Sequence, residues 1–257
     1  RAENAPCLHE DARDNVLYRI RRHSPAQDKA DPFENPPILV HISVQHPRVS
    51  GLSMEGAGAI AFVNTDNAKL SLISSTQTPH LIREILSKSL KMDVAELTVS
   101  APDVGGGFGP KAQLFPEEVL VAHCARTLRQ PVQWIQDRGE HLAACFHARD
   151  IRVDAQLAAD IDGTILGLRA RAYCAVGAYS AFPFGCALEP QAIGTGICGP
   201  YRVPHLDYEG IALATNTYPV GAYRGVGFPL CPLTMEGLLD RVAAATGTDP
   251  AEVRRRN

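Results

Sequence analysis

No run in the 257 residues approaches the roughly 20 consecutive apolar residues that cross a bilayer, so the sequence predicts no membrane-spanning helix. None of the seven cysteines forms a C-x-x-C pair, and the even spacing of Cys174, Cys186 and Cys198 matches no ligand geometry. An iron–sulfur cluster held by this chain is therefore not expected, and the thiols read as free groups of a reducing compartment. Positive charge is not in excess either. The formal net charge is -3, which gives no nucleic-acid footprint. The one basic run, Arg254-Arg255-Arg256, reads as a helix end favoured by the dipole. An initiator Met is absent: the chain begins at Arg1 and stops at Asn257, and both ends read as cuts. Targeting therefore cannot be read, and the free thiols favour the cytoplasm with the periplasm left open.

What is present is ordinary globular material. Hydrophobic residues make up 45% and charged residues 21%, enough apolar surface for a core and too little charge for global disorder. Residues 1–50, with Pro25, Pro32, Pro36 and Pro37, read as a connector or extended arm, with one edge strand over 38–44. Residues 51–150 read as a first α/β unit. It has strands at 60–63, 70–73, 97–99 and near 132–134, and a helix opened by Thr78-Pro79 with Leu81, Ile82, Ile85, Leu86 and Leu90 on one face. A second helix starts near Pro116, with Glu117 and Glu118 in its first turn.

Residues 151–257 read as a second α/β unit. Ile151, Val153, Ala155, Leu157 and Ala159 alternate strictly, Asp162-Gly163 makes the turn, and the returning strand slips near Gly167. The Gly- and Pro-rich stretch 177–204 reads as a loop with one helical turn. A strand follows at 208–214, then helices near 234–245 and from Asp249-Pro250. The predicted fold class is α+β: two-layer α/β units with mixed sheets.

The most informative local feature is Gly105-Gly106-Gly107-Phe108-Gly109 after a strand. Consecutive glycines let backbone N–H groups converge on an anion or a ligand oxygen. A plain structural turn would use the same residues. Nucleotide motifs fail: Pro110-Lys111-Ala112 lacks the Gly and the hydroxyl of a Walker A loop, and Pro110 stands where a dinucleotide fingerprint needs its last glycine. Arg224, in Gly221-Ala222-Tyr223-Arg224-Gly225-Val226-Gly227, is the one charge among small residues, and reads either as an anion-binding guanidinium or as a loop Arg. Gln77 stands before a helix start as a capping residue or a donor–acceptor amide. The histidines form no metal set: His141 and His147 are six apart, the wrong spacing for one helix face.

Taken together, Ser75-Thr76-Gln77-Thr78-Pro79, Asp103-Val104 running into the glycine loop and Pro110-Lys111, and Gly221-Ala222-Tyr223-Arg224-Gly225 resemble, in order and approximate spacing, the molybdenum-binding large subunits of the xanthine dehydrogenase/aldehyde oxidase family. Met54-Glu55, Phe115-Pro116-Glu117-Glu118, His147-Ala148-Arg149-Asp150, Gly199-Pro200-Tyr201 and Asp249-Pro250-Ala251-Glu252 add to it.

The resemblance implies a molybdenum–molybdopterin cofactor, with the cytosine dinucleotide form open, and no direct protein ligand to the metal. It implies iron–sulfur and FAD carriers on partner domains or subunits. The Gln77 amide would bond a metal oxygen, Gly106, Gly107, Phe108 and Gly109 would present backbone to the cofactor, and Arg224 would hold its polar groups. Ala112 and Val226 would line the substrate pocket. Ala112 replaces a substrate-binding Glu, and Val226 an aromatic, of purine-oxidising members, which leaves aldehydes and other N-heterocycles as substrates. Gly225 replaces the metal-linked Cys of carbon monoxide dehydrogenases. Gly56-Ala57 lacks the family's Arg, with no account of the effect. The implied oxidoreductase hydroxylates with water-derived oxygen and needs a general base, a Glu beyond Asn257; Glu117 and Glu118 read as helix-start acids. The chain is thus expected to be an incomplete, inactive piece of the large subunit, needing the rest of that subunit. The other readings are a non-catalytic packing module and an anion-binding glycine-loop domain.

Overall fold

The alternation after residue 150 produces the longest hairpin of the molecule. In a computed structural model describing residues 5–12, 14–24 and 31–257, β7 (His147–Ala159) and β8 (Ile165–Gly177) pair antiparallel, with Val153 opposite Ala172 and Leu157 opposite Leu168. The expected slip falls where Ala158 faces Gly167 and Ala159 faces Ile165.

Around this hairpin stand β1 (Val16–His23), β2 (Ile38–Ser50) and β9 (Leu206–Ala214), in the sheet order β1-β9-β8-β7-β2. Strand β9 is parallel to β8 and antiparallel to β1. Ile151, Val153 and Leu157 point into a core shared with Ile193 and Ile197, at and just beyond α4 (Leu188–Gly196), and with Leu238, Leu239 and Val242 of α5 (Leu230–Thr246). Each such side chain contributes about 1.5–3 kcal/mol by leaving water. Helix α6 (Pro250–Arg256) is capped by the Asp249 carboxylate, which accepts from the N–H groups of Ala251 and Glu252.

The second sheet has the order β5-β4-β3-β6, from β3 (Gly58–Val63), β4 (Leu70–Ser74), β5 (Leu97–Ser100) and β6 (Val132–Ile135). Strands β4 and β5 are parallel, joined by the crossover helix α1 (Pro79–Leu90). Ile82, Leu86 and Leu90 of α1, with Val121, Ala122 and Ala125 of α2 (Pro116–Leu128), pack on Ala59, Ala61, Leu70, Leu72 and Leu97. A short α3 (Arg138–Ala144) follows β6.

The chain divides into two compact units. One comprises the described residues up to Val49, Ala148–Val220 and Gly225–Asn257; the other comprises Ser50–His147 and Gly221–Arg224. This differs from the sequence division at 50 and 150. The segment read as an arm supplies both edge strands of the larger sheet, because Val16, Tyr18 and Ile20 find their partners only across β9. Pro47 lies within β2, and an edge position tolerates its missing N–H. Pro25 lies outside the described residues. The stretch read as loop contains the helix α4 despite Pro190, Gly194 and Gly196, since Ile193 and Ile197 are wholly buried. Thr78 precedes α1 as expected but does not cap it: its hydroxyl donates instead to the Ala112 carbonyl at 3.1 Å.

Candidate functional site

The turn between β4 and α1 carries Gln77, and its backbone is fixed by the segment after the glycine loop. The Gln77 N–H donates to the Lys111 carbonyl at 2.9 Å, and the buried Thr76 hydroxyl donates to the same oxygen at 3.1 Å. With the main chain held there, the side chain reaches the loop. Gln77 Oε1 accepts from the Gly109 N–H at 2.8 Å. The amide Nε2 has no acceptor among the described residues, and Gln77 is exposed.

The loop leaves β5 and turns sharply. The Gly105 N–H donates to Glu55 Oε2 at 2.8 Å and the Gly106 N–H to the Val104 carbonyl at 2.8 Å. The N–H groups of Gly107 and Phe108 meet no protein acceptor among the described residues. Two glycines here occupy places where a side chain would collide. A Cβ on Gly107 would stand 2.4 Å from Gln77 Oε1. One on Gly109, whose φ is +111°, would stand 2.3 Å from the Ala222 carbonyl oxygen. Arg224 joins the loop from the same short segment as Ala222. Its N–H donates to the Phe108 carbonyl at 2.8 Å, and its guanidinium lies 5.3 Å from the Phe108 ring centre.

Behind the loop is a network that the sequence reading missed. Lys111 is wholly buried and its ammonium donates to Glu55 Oε2 and to the Ser75 hydroxyl, each at 2.7 Å. The Ser75 hydroxyl is also 2.7 Å from Glu55 Oε2. Partial burial pushes the Glu55 carboxyl up, but the hydrogen bonds from Lys111, Ser75 and Gly105 outweigh it and hold it below its ordinary value. One carboxylate oxygen thus ties the first glycine of the loop to the residue whose carbonyl holds Gln77.

Gln77, the glycine loop with Phe108, Ala112 and Arg224 therefore belong to one unit. Ala112 sits in the 3-10 turn Pro110–Ala112 and is 4% exposed, so its methyl is packed rather than presented. Val226 belongs to the other unit, in a left-handed turn with φ of 49°. Glu118 is a buried helix-start acid: it accepts from the Ser74 hydroxyl and from the Phe115 N–H. Burial pushes its carboxyl up to about 7. Among the described residues no three His, Cys, Asp or Glu side chains converge as metal ligands, and no helix is long and apolar enough to cross a membrane.

The family model described as the molybdopterin cofactor-binding domain matches residues 8–257. The chain belongs to that family. Within it, this molybdopterin-binding chain is 37% identical over 257 residues to the large subunit of nicotine 6-hydroxylase from Paenarthrobacter nicotinovorans, covering 99% of this chain and 31% of that protein. Among solved structures it resembles quinoline 2-oxidoreductase from Pseudomonas putida 86, with a TM-score of 0.88 and 40% identity over 95% of this chain and 31% of that one. It also resembles the aldehyde oxidoreductase of Desulfovibrio gigas, with a TM-score of 0.89 and 25% identity over 100% of this chain and 28% of that one. The mixed-sheet α/β class expected from the sequence is the fold of these proteins. The chain spans about three tenths of their length.

The donor set fits a molybdopterin group. Such a cofactor presents oxygen acceptors, and this unit offers two adjacent backbone N–H groups and a carboxamide N–H, all without protein acceptors among the described residues. The Arg224 backbone is held at the same loop by the Phe108 carbonyl, and its guanidinium lies 5.3 Å from the Phe108 ring centre.

Proposed function

We propose that residues 105–109, Gln77 and Arg224 bind the molybdenum–molybdopterin cofactor of a hydroxylase whose substrate is an N-heterocycle. The observation that carries this reading is the bond from Gly109 to Gln77. Because Oε1 is occupied, the carboxamide turns its N–H edge outward, and a donor is what an oxygen-bearing group requires. The relatives named for nicotine and quinoline share more identity with this chain than the one named for an aldehyde, which favours the heterocycle over the aldehyde.

When bound, the cofactor supplies two-electron redox chemistry with water-derived oxygen. The chain's own contribution is preorganisation. Gln77 Nε2 and the N–H groups of Gly107 and Phe108 would donate to oxygen acceptors of the cofactor, from positions that the loop already fixes. Arg224 would help hold the polar groups of the cofactor. Ala112 and Val226 replace the substrate-binding Glu and the stacking aromatic of purine-oxidising members, which disfavours a purine as substrate. The general base is assigned to a Glu outside residues 1–257, and iron–sulfur and flavin carriers on partner chains or domains would take up the electrons. Residues 1–257 alone are then inactive.

Metal analysis and turnover of the full-length protein test the reading. Stoichiometric molybdenum and oxidation of nicotine or quinoline are expected, with Gln77→Ala lowering kcat about 100-fold while molybdenum is retained. Full-length protein free of molybdenum after growth in molybdate, or a Gln77→Ala variant as active as the parent, would overturn it.

A further inference from the structure

The larger unit holds a buried ion pair whose residues are not among those proposed to bind the cofactor. Arg149 and Glu189 have side chains 2% and 2% exposed, with Nη1 3.0 Å from Oε1. Glu189 Oε2 is buried and has no hydrogen-bond partner among the described residues. Burial pushes the Glu189 carboxyl up, and the Arg149 guanidinium opposes that. A buried pair of this kind is weak evidence for stability, since apolar residues of similar volume do as well or better. What it can supply is geometry.

The geometry is local and strained. Arg149 and Asp150 are consecutive left-handed residues, with φ of 70° and 68°, at the start of a strand that is otherwise extended. Gly225 and Val226 form a second left-handed pair, with φ of 92° and 49°. For a β-branched residue such as Val226 this conformation is an outlier that its surroundings must enforce.

Both partners of the ion pair adjoin the glycines that flank Val226, beside Pro229, whose Cγ lies 3.1 Å from the Gly225 Cβ position. Arg149 Nη2 lies 3.7 Å from the place a Gly225 Cβ would take. The Glu189 carbonyl oxygen lies 2.6 Å from that of Gly227, and Ile193 Cγ1 lies 2.7 Å from it. The turn is closed by its own bonds, from the Phe228 N–H to the Gly225 carbonyl and from the Leu230 N–H to the Gly227 carbonyl. On its outer sides it abuts Arg149 of β7 and, more closely, Glu189 and Ile193 of α4. The Arg149–Glu189 bond fixes those two elements to each other.

We propose that the Arg149–Glu189 pair is a positioning device for the 225–227 turn and, through Val226, a determinant of substrate specificity. The specificity half rests on the reading of Val226 as a substrate-facing residue. The positioning half rests on the turn alone. Neither residue touches the reacting atoms. The pair acts by deciding where the Val226 side chain stands.

The test uses the full-length holoenzyme and two readouts. The first is hydrogen exchange of the 225–230 amides. The second is the ratio of kcat/KM for quinoline to that for a small aliphatic aldehyde, in a cycle of Glu189→Gln with Val226→Ala. Glu189→Gln is expected to raise exchange at 225–230 by about tenfold while the amides of β8 and β9 keep their protection. It is expected to shift the substrate ratio about tenfold in the parent and less than about threefold in the Val226→Ala background. If Glu189→Gln does not fold, Arg149→Met with Glu189→Leu removes both charges at similar volume and carries the same expectation.

Unchanged exchange at 225–230, or a rise shared equally by the whole unit, overturns the positioning role. Raised exchange there with fully additive effects on the ratio overturns the specificity role. A Val226→Ala variant whose ratio matches the parent sinks the substrate-facing reading, while the exchange result still decides the positioning.

Discussion

The buried ammonium of Lys111 stands 2.7 Å from Oε2 of Glu55, a carboxylate whose side chain is 42% exposed. The pair is asymmetric, and the asymmetry fixes what each substitution does. Glu55→Ala strands a cation in the interior, which costs about 3 kcal/mol or more. Lys111→Met leaves a carboxylate that water still reaches and that Ser75 and Gly105 still bond, so about 1–2 kcal/mol is expected. Equilibrium unfolding of the two variants checks the order. Equal losses, or a larger loss for Lys111→Met, would contradict it.

Gly107 and Gly109 should respond differently to alanine. At Gly107 the new methyl meets the far end of one flexible side chain, Gln77, whose Oε1, Cδ and Cγ stand 2.4–2.6 Å away. The carboxamide swings aside, stability changes by less than about 1 kcal/mol, and turnover of the full-length enzyme falls about 100-fold. At Gly109 the methyl meets the Ala222 backbone in a left-handed conformation, so folding itself is penalised by about 2–4 kcal/mol. Melting temperature set beside activity separates the two. Similar Tm shifts in both variants would refute the distinction.

Glu118 makes stability depend on pH. Its carboxyl is raised in the folded protein from the ordinary 4.5 to about 7, so the folded state holds a proton that the unfolded chain releases. The favourable contribution is complete below about pH 4.5 and is lost as pH rises through about 7, a difference of about 3 kcal/mol. Glu118→Gln should flatten that fall. Tm measured from pH 4.5 to 8 is the check, and an unchanged slope in the variant would assign the pH dependence elsewhere.

Thiol chemistry should follow burial. Cys145 and Cys231 are buried and pushed up to about 11, whereas Cys7 is exposed. Brief alkylation of the native protein at pH 8 should label Cys7 and spare those two. Peptide mapping that found Cys231 labelled as fast as Cys7 would show the core open.

Elements with a local signature were legible in the sequence, and elements made by distant partners were not. The apolar face of α1 and the alternation of β7 appear in any short window. Strand β1 does not, because the Arg19 and Arg21 that disguise it find their counter-charge on Glu209, far along the chain. Helix α4 carries Pro190 and two glycines, and Gly194 is there because the Tyr208 ring comes within 2.5 Å of its absent Cβ. At the site, the glycine loop announced itself by composition, while Gln77 was singled out only by the resemblance to the family. Lys111 served in the sequence to reject a nucleotide loop and to extend a motif, with no role of its own. That a lysine would be buried to hold a carboxylate depends on Glu55 and Ser75, which three-dimensional folding alone brings to it.

The smaller unit takes Gly221–Arg224 from a stretch of chain otherwise given to the larger one. No single cut therefore releases it intact. A polypeptide of residues 50–147 would keep its sheet and helices yet forfeit the Arg224 N–H that closes on Phe108 and the Ala222 carbonyl that shapes the bend at Gly109. Shuffling this module between proteins as one contiguous piece would deliver a scaffold without its clasp. The two units are bound to travel together through evolution by their threading.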